Sequence, residues 1–182
     1  IDYTASENFN PEDFYPNDPI VVTISHLGYV KRTTLSEFHS QSRGGIGSKL
    51  SGTRNEDFIE SIYPAMAHDT LLFFTRKGRC YWLRAYEIEE STKASKGRAI
   101  QNLLNIEPDD AVNVCLQIKN LNDAEFCKSH NVIFCTKQGV IKKTSLADYS
   151  RPRSRGINAI NIREDDAVVS VALTNGNDEI LI

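Results

Sequence analysis

Three times along this chain a run of apolar residues enters a turn at glycine and leaves through basic or aromatic residues. The first copy runs from Ile20 to Arg32 around Gly28, the second from Thr70 to Arg84 around Gly78, and the third from Asn131 to Lys143 around Gly139. Each predicts two antiparallel strands joined by a hairpin whose glycine takes the positive φ that a tight turn requires. The glycines at 28, 78 and 139 stand 50 and 61 residues apart. A period of that size suits the blades of a propeller.

The repeat extends beyond the hairpin. Ser42-Arg43-Gly44, Ser95-Lys96-Gly97 and Ser154-Arg155-Gly156 end 16, 19 and 17 residues after the turn glycines. Asn105-Ile-Glu-Pro-Asp-Asp-Ala-Val112 and Asn161-Ile-Arg-Glu-Asp-Asp-Ala-Val168 then match at six of eight positions, each leading into another strand-like run. The fold class expected is all-β and propeller-like, with about three four-stranded blades at about 18–66, 67–128 and 129–176 and a fourth beginning at 177. Thr33–Glu37 and Thr144–Asp148 have the character of capping boxes and predict single helical turns after their hairpins. A propeller removes its edges by closing a ring, so the chain is expected to be part of a larger repeat domain.

Residues 1–17, with Pro11, Pro16 and several acids, read as an acidic linker. Formal net charge is −3, which taken alone argues against a nucleic-acid partner. The first 19 residues hold five acids and no Lys or Arg, leaving 21 bases against 19 acids, or +2, in the rest. Bases recurring at equivalent places in stacked repeats would add up to a stripe of positive potential.

Other chemistries find little support. With 40% apolar residues and no apolar run of membrane-spanning length, the chain reads as a cytoplasmic protein without a membrane partner. The four cysteines form no CxxC pair, and Cys115, Cys127, His130 and Cys135 are poorly spaced for zinc, so no metal site is expected. Gly44-Gly-Ile-Gly-Ser-Lys49 fails the spacing of a phosphate loop. Phe73, Phe74, Tyr81 and Trp82 lie in strand-like runs, which favours core packing over base stacking.

Gln41-Ser42-Arg43-Gly44-Gly45-Ile46-Gly47 resembles the seven-residue box Q-R-R-G-G-[RK]-G of the carboxy-terminal domain of DNA gyrase A subunits. His68–Leu83, Lys96–Leu104, Gly139–Leu146 and Tyr149–Arg153 are similar to sequence of the same family, and the likeness runs from about Asp18 onward. Ser42 stands where the family has Arg, and Ile46 where it has Arg or Lys, so the box keeps one base, Arg43.

The resemblance implies a six-bladed β-pinwheel whose basic rim wraps duplex DNA and presents a crossing for ATP-driven negative supercoiling. The implied partners are double-stranded DNA, the gyrase B subunit and the amino-terminal part of the gyrase A subunit. ATP and Mg2+ would act elsewhere in that assembly, leaving this segment without a cofactor. The family's nucleophilic tyrosine follows an arginine, and none of the seven tyrosines here does, so no catalytic residue is expected.

The box, Gln41 to Gly47, is the expected wrapping element. The DNA-contacting set is Lys31, Arg32, Arg43, Lys49, Arg76, Lys77, Arg79, Lys96, Arg98, Lys137, Lys142, Lys143, Arg151, Arg153 and Arg155. No recognition helix spaces Arg, Asn or Gln for base edges, so contacts should fall mainly on phosphates and be salt-dependent. Bending a duplex costs on the order of 1–6 kcal/mol, which such contacts can offset. The alternatives are the related domain of the topoisomerase IV A subunit and a propeller that binds protein.

Overall fold

The computed structural model describes residues 10–37 and 57–179. Its strands, in chain order, are β1 (Pro19–Ser25), β2 (Tyr29–Thr34), β3 (Ile59–Met66), β4 (Thr70–Thr75), β5 (Arg79–Arg84), β6 (Arg98–Ala99), β7 (Val112–Ile118), β8 (Asn131–Thr136), β9 (Ile141–Ser145), β10 (Ile157–Asn158) and β11 (Val168–Thr174). One short helix, α1 (Ala124–Ser129), precedes the third hairpin, with Asp123 accepting hydrogen bonds from the amides of Glu125 and Phe126. Single 3-10 turns follow each hairpin, at Leu35–Glu37, Ala85–Glu87 and Leu146–Tyr149.

The strands form three sheets, ordered β3-β1-β2-β6, β10-β5-β4-β7 and β11-β8-β9. Each is built on one hairpin, with the last long strand of the same repeat added antiparallel to the hairpin's first strand. The outermost strand comes from elsewhere. The Ser-basic-Gly element of the second repeat leads into β6, which pairs with β2 of the first sheet, and that of the third repeat leads into β10, which pairs with β5 of the second.

Four consecutive strands of one repeat therefore do not make one blade, as the sequence suggests. The second and third repeats each hand a short strand back to the sheet before. Glycine makes the transfer possible: Gly156 has φ +66° and lies where an added Cβ would stand 2.7 Å from the carbonyl oxygen of Cys80 and from the ring of Tyr81. At Gly97 (φ +82°) the same atom would approach the carbonyl oxygen of Val30 to 2.6 Å.

Two apolar cores lie between the sheets. Successive side chains of a strand point to opposite faces, and β4 uses both. Leu71 and Phe73 join Ile20, Val22, Ile24 and Val30 on one side, while Leu72 and Phe74 join Val132, Phe134 and Tyr149 on the other. All six residues of β4 are buried, as expected of a central blade strand. Phe73, Phe74, Tyr81 and Trp82 are core residues, and the Trp82 indole N–H donates to the carbonyl of Tyr149 at 2.9 Å. The third sheet is covered less completely: Ile133 and Cys135 are half-buried, and Ile141 and Val169 are exposed. Of the proposed fourth repeat, Asn177 to Glu179 carry no strand, and 180–182 lie outside the described residues.

Adjacent sheets are also pinned through their inner strands. The Tyr63 hydroxyl accepts from the amide of Cys115, the Gln117 side chain donates to the carbonyl of Pro64, and that of Asn113 donates to the carbonyl of Val168. The described part of the acidic leader lies on the second repeat: Tyr15 stacks on Tyr86 with ring centroids 4.7 Å apart, Glu12 pairs with Arg84, and the Asn17 side chain accepts from the amide of His68.

Candidate nucleic-acid interface

The hairpin turns hold the basic segments in place by a mechanism that recurs in all three repeats. Ser25, Thr75 and Thr136 each stand three residues before a turn glycine. Their carbonyls accept from the glycine amides at 2.9–3.0 Å, and their hydroxyls accept from the amides of Tyr29, Arg79 and Val140 at 3.0–3.1 Å. An aspartate completes each turn. Asp57 accepts from the amides of Leu27 and Phe58, Asp110 from Lys77 and Ala111, and Asp166 from Gln138 and Ala167, all within 2.8–3.1 Å.

In the sequence these aspartates stand within acidic pairs, Glu56-Asp57, Asp109-Asp110 and Asp165-Asp166. They are turn anchors, and the signal was present as the spacing Ser/Thr-x-x-Gly with a later Asp-Ala-Val or Asp-Phe-Ile. Desolvation opposes ionisation of Asp166, yet hydrogen bonds from Thr136, Gln138 and Ala167, with the charge of Arg163, hold its carboxyl below the usual carboxylate range. A lowered folded pKa contributes stability that is present above the unfolded value of about 4 and is lost as pH falls through the folded one. Thermal melts of the chain and of Asp166→Asn should therefore differ at neutral pH and converge in acid; a gap that persists below both values would assign the effect to shape alone.

The cations divide into two groups by their surroundings. Lys31 is only 2% exposed, and its ammonium donates to the carbonyls of Thr92, Lys93 and Ser95 at 2.6–3.2 Å. Burial lowers its pKa against the opposing charge of Glu37. Arg32 donates to the carbonyl of Ile88 and pairs with Glu90 at 2.7 Å. Expected on the DNA-facing rim, both instead fasten the second repeat's loop to the first sheet. Lys77 is exposed but lies between Asp109 and Glu107, and its hydrogen bond with Asp109 holds its pKa up and that of Asp109 down. Lys96 sits 3.6 Å over the ring of Tyr29, and Arg98 stands 4.0 Å from Glu89.

The second group is free of carboxylate partners among the described residues. Arg151, Arg153 and Arg155 are exposed on the loop that enters β10, and their side chains make no ion pair or hydrogen bond among the described residues. Arg79, beside them on β5, donates to the carbonyl of Arg155 at 2.7 Å and to the Tyr81 hydroxyl at 3.2 Å. Lys142 donates to the carbonyl of Ala159 at 2.9 Å, and Lys143, Lys137 and Arg76 are exposed. Lys96 precedes the handed-back strand of the first sheet, which Arg98 opens, and Arg155 precedes that of the second, so Lys96 and Arg155 occupy equivalent outer edges. The box residues Gln41 to Gly47, with Arg43 and Lys49, lie outside the described residues.

Three hairpin sheets, stacked through two cores and linked by outer strands handed back from the next repeat, define a β-pinwheel, a propeller-like array. Residues 19–65, 69–118 and 130–175 match the family described as DNA gyrase C-terminal domain, beta-propeller, and the chain belongs to that family. The DNA gyrase A subunit of Clostridium acetobutylicum is 39% identical over 178 residues, covering 98% of this chain and 21% of that protein. Its counterpart in Staphylococcus epidermidis is 41% identical over 176 residues, covering 97% and 19%. The chain thus spans about a fifth of the length of these relatives. Among solved structures, the C-terminal domain of a DNA topoisomerase IV superposes with a TM-score of 0.68 at 27% identity over 88% of this chain and 47% of that one. A DNA gyrase A C-terminal domain gives 0.69 over 86% and 48%, a likeness in fold at 24% identity.

Proposed function

We propose that this chain is a duplex-DNA-binding and wrapping segment of a gyrase A-type protein, acting with the gyrase B subunit and the amino-terminal part of its own A-type polypeptide to present a DNA crossing for negative supercoiling. The observation that carries this reading is the recurrence of bases beside the outer strands of successive sheets, at Lys96 and Arg98 and again at Arg155. Equivalent outer edges carrying bases offer phosphates a succession of contacts, and among the described residues no element presents a readout of base edges. The box, Gln41 to Gly47, carries the first Ser-basic-Gly copy along the chain, with Arg43 as its base.

The topoisomerase IV reading is favoured only by a structural likeness at 27% identity, whereas gyrase A subunits match at about 40% over nearly the whole chain. The test is a titration with duplexes of unrelated sequence. Six uncompensated phosphate contacts predict roughly a thousandfold loss of affinity between about 50 and 200 mM salt, with little change between sequences. A flat salt response would exclude the mechanism. In the full-length protein, alanines at Arg43, Gly44, Gly45 and Gly47 should reduce the linking number trapped on a closed circle; an unchanged value would remove the box from the wrapping path.

A further inference from the structure

We infer that, of the two described crossings, duplex DNA is gripped mainly at the one from the third repeat onto the second sheet, by Arg151, Arg153 and Arg155, and only weakly at the one from the second repeat onto the first sheet. This rests on the DNA-binding reading above and adds to it an uneven distribution of contacts that repeat symmetry does not imply.

The two crossings have the same backbone design and different electrostatics. From 85 to 99 the first crossing holds Glu87, Glu89 and Glu90 against Lys93, Lys96 and Arg98, a sum of zero. From 146 to 158 the second holds Asp148 against Arg151, Arg153 and Arg155, a sum of +2. Geometry reinforces the count. At the first crossing Arg32 is paired with Glu90 at 2.7 Å, Arg98 has Glu89 at 4.0 Å, and the Lys96 ammonium lies against an aromatic face. A phosphate approaching there must compete with carboxylates already in place, and displacing one acid for another releases few counterions.

At the second crossing the three guanidinium groups project from an exposed loop with no carboxylate within ion-pair distance among the described residues. Pro152 restricts the backbone between the first two. The loop is held from beneath: Arg79 donates to the carbonyl of Arg155, Asn105 donates to that of Ser154 at 3.3 Å, and β10 joins the sheet directly after. Bases on a tethered loop meet phosphates with less ordering cost than bases on a free one, and arginine's planar fork suits phosphate oxygens.

The experiment compares two variants of the whole chain, Arg151→Gln/Arg153→Gln/Arg155→Gln and Lys96→Gln/Arg98→Gln, on one duplex of about 40 base pairs across a salt series. Each true phosphate contact contributes about 0.9 to the slope of log affinity against log salt. The triple variant is expected to lower the slope by between about 2 and 3 and to weaken binding at low salt at least tenfold; the double variant should lower it by less than about 0.5. Equal loss per charge in the two variants would overturn the uneven grip and leave the DNA-binding reading standing. Failure of the unaltered chain to bind duplex would overturn both. Thermal melts establish that all three proteins are folded, and Arg153→Lys, which keeps the charge, should retain most of the slope.

Discussion

Gly156→Val is expected to lower the unfolding free energy by about 3–5 kcal/mol. The added side chain meets a positive-φ backbone, unfavourable for a β-branched residue by about 1–3 kcal/mol, and two neighbours at 2.7 Å, of which the Cys80 carbonyl is backbone in a buried strand. The element at risk is β10, whose pairing with β5 joins the third repeat to the second sheet. Gly139 is the natural control. It has φ +80° but nothing within 4 Å of an added Cβ, so Gly139→Ala should cost only the backbone strain of about 1–2 kcal/mol. Urea unfolding of the two variants separates the effects: similar midpoints would show that close approach at the outer strand contributes nothing.

Asp110→Ala should destabilise the chain by about 2–4 kcal/mol, because one side-chain oxygen accepts from two backbone amides, those of Lys77 at 3.1 Å and Ala111 at 2.9 Å, at a site only 5% exposed. Asp110→Asn keeps an acceptor oxygen of the same shape and should cost less than half as much. If the two substitutions proved equally harmful, charge would be the important property and the hydrogen-bond account of the turn would fail. Since the same pattern holds at Asp57 and Asp166, the alanine substitution should have a counterpart in every repeat, smaller where the aspartate is less buried.

Much of this architecture is legible in the sequence. The hairpins fall where apolar runs meet Gly28, Gly78 and Gly139, because a turn with positive φ is a local requirement that one residue type satisfies without strain. The 3-10 turn after the third hairpin follows from a short side chain able to accept from a nearby amide, as Ser145 does from Ala147, whereas the turn at Ala85–Glu87 follows Arg84, which offers no such acceptor. Lys31 shows where such reading stops. Its place shortly after a turn glycine marks it as a surface base, yet the carbonyls that surround it come from residues 61–64 positions later. The role of the three aspartates is hidden for the same reason: Asp110 anchors a turn 33 residues upstream, and in the sequence it is one acid in a pair of acids.

What the sequence determined by itself was the unit of the fold: two strands, a glycine turn, a Ser-basic-Gly crossing and a closing strand, each specified by apolar alternation or by backbone geometry acting over a few residues. Only the tertiary structure decided which sheet each crossing strand joins and which cations remain available. A two-residue strand such as β6 or β10 has no side-chain pattern long enough to encode its partner, so its assignment depends on backbone hydrogen bonds and on glycines that admit close contact. Charge behaves likewise. Lys31 and Arg153 carry the same formal charge, but one is enclosed by carbonyl oxygens and the other is open to solvent, and the energy of a charge depends on the distances around it.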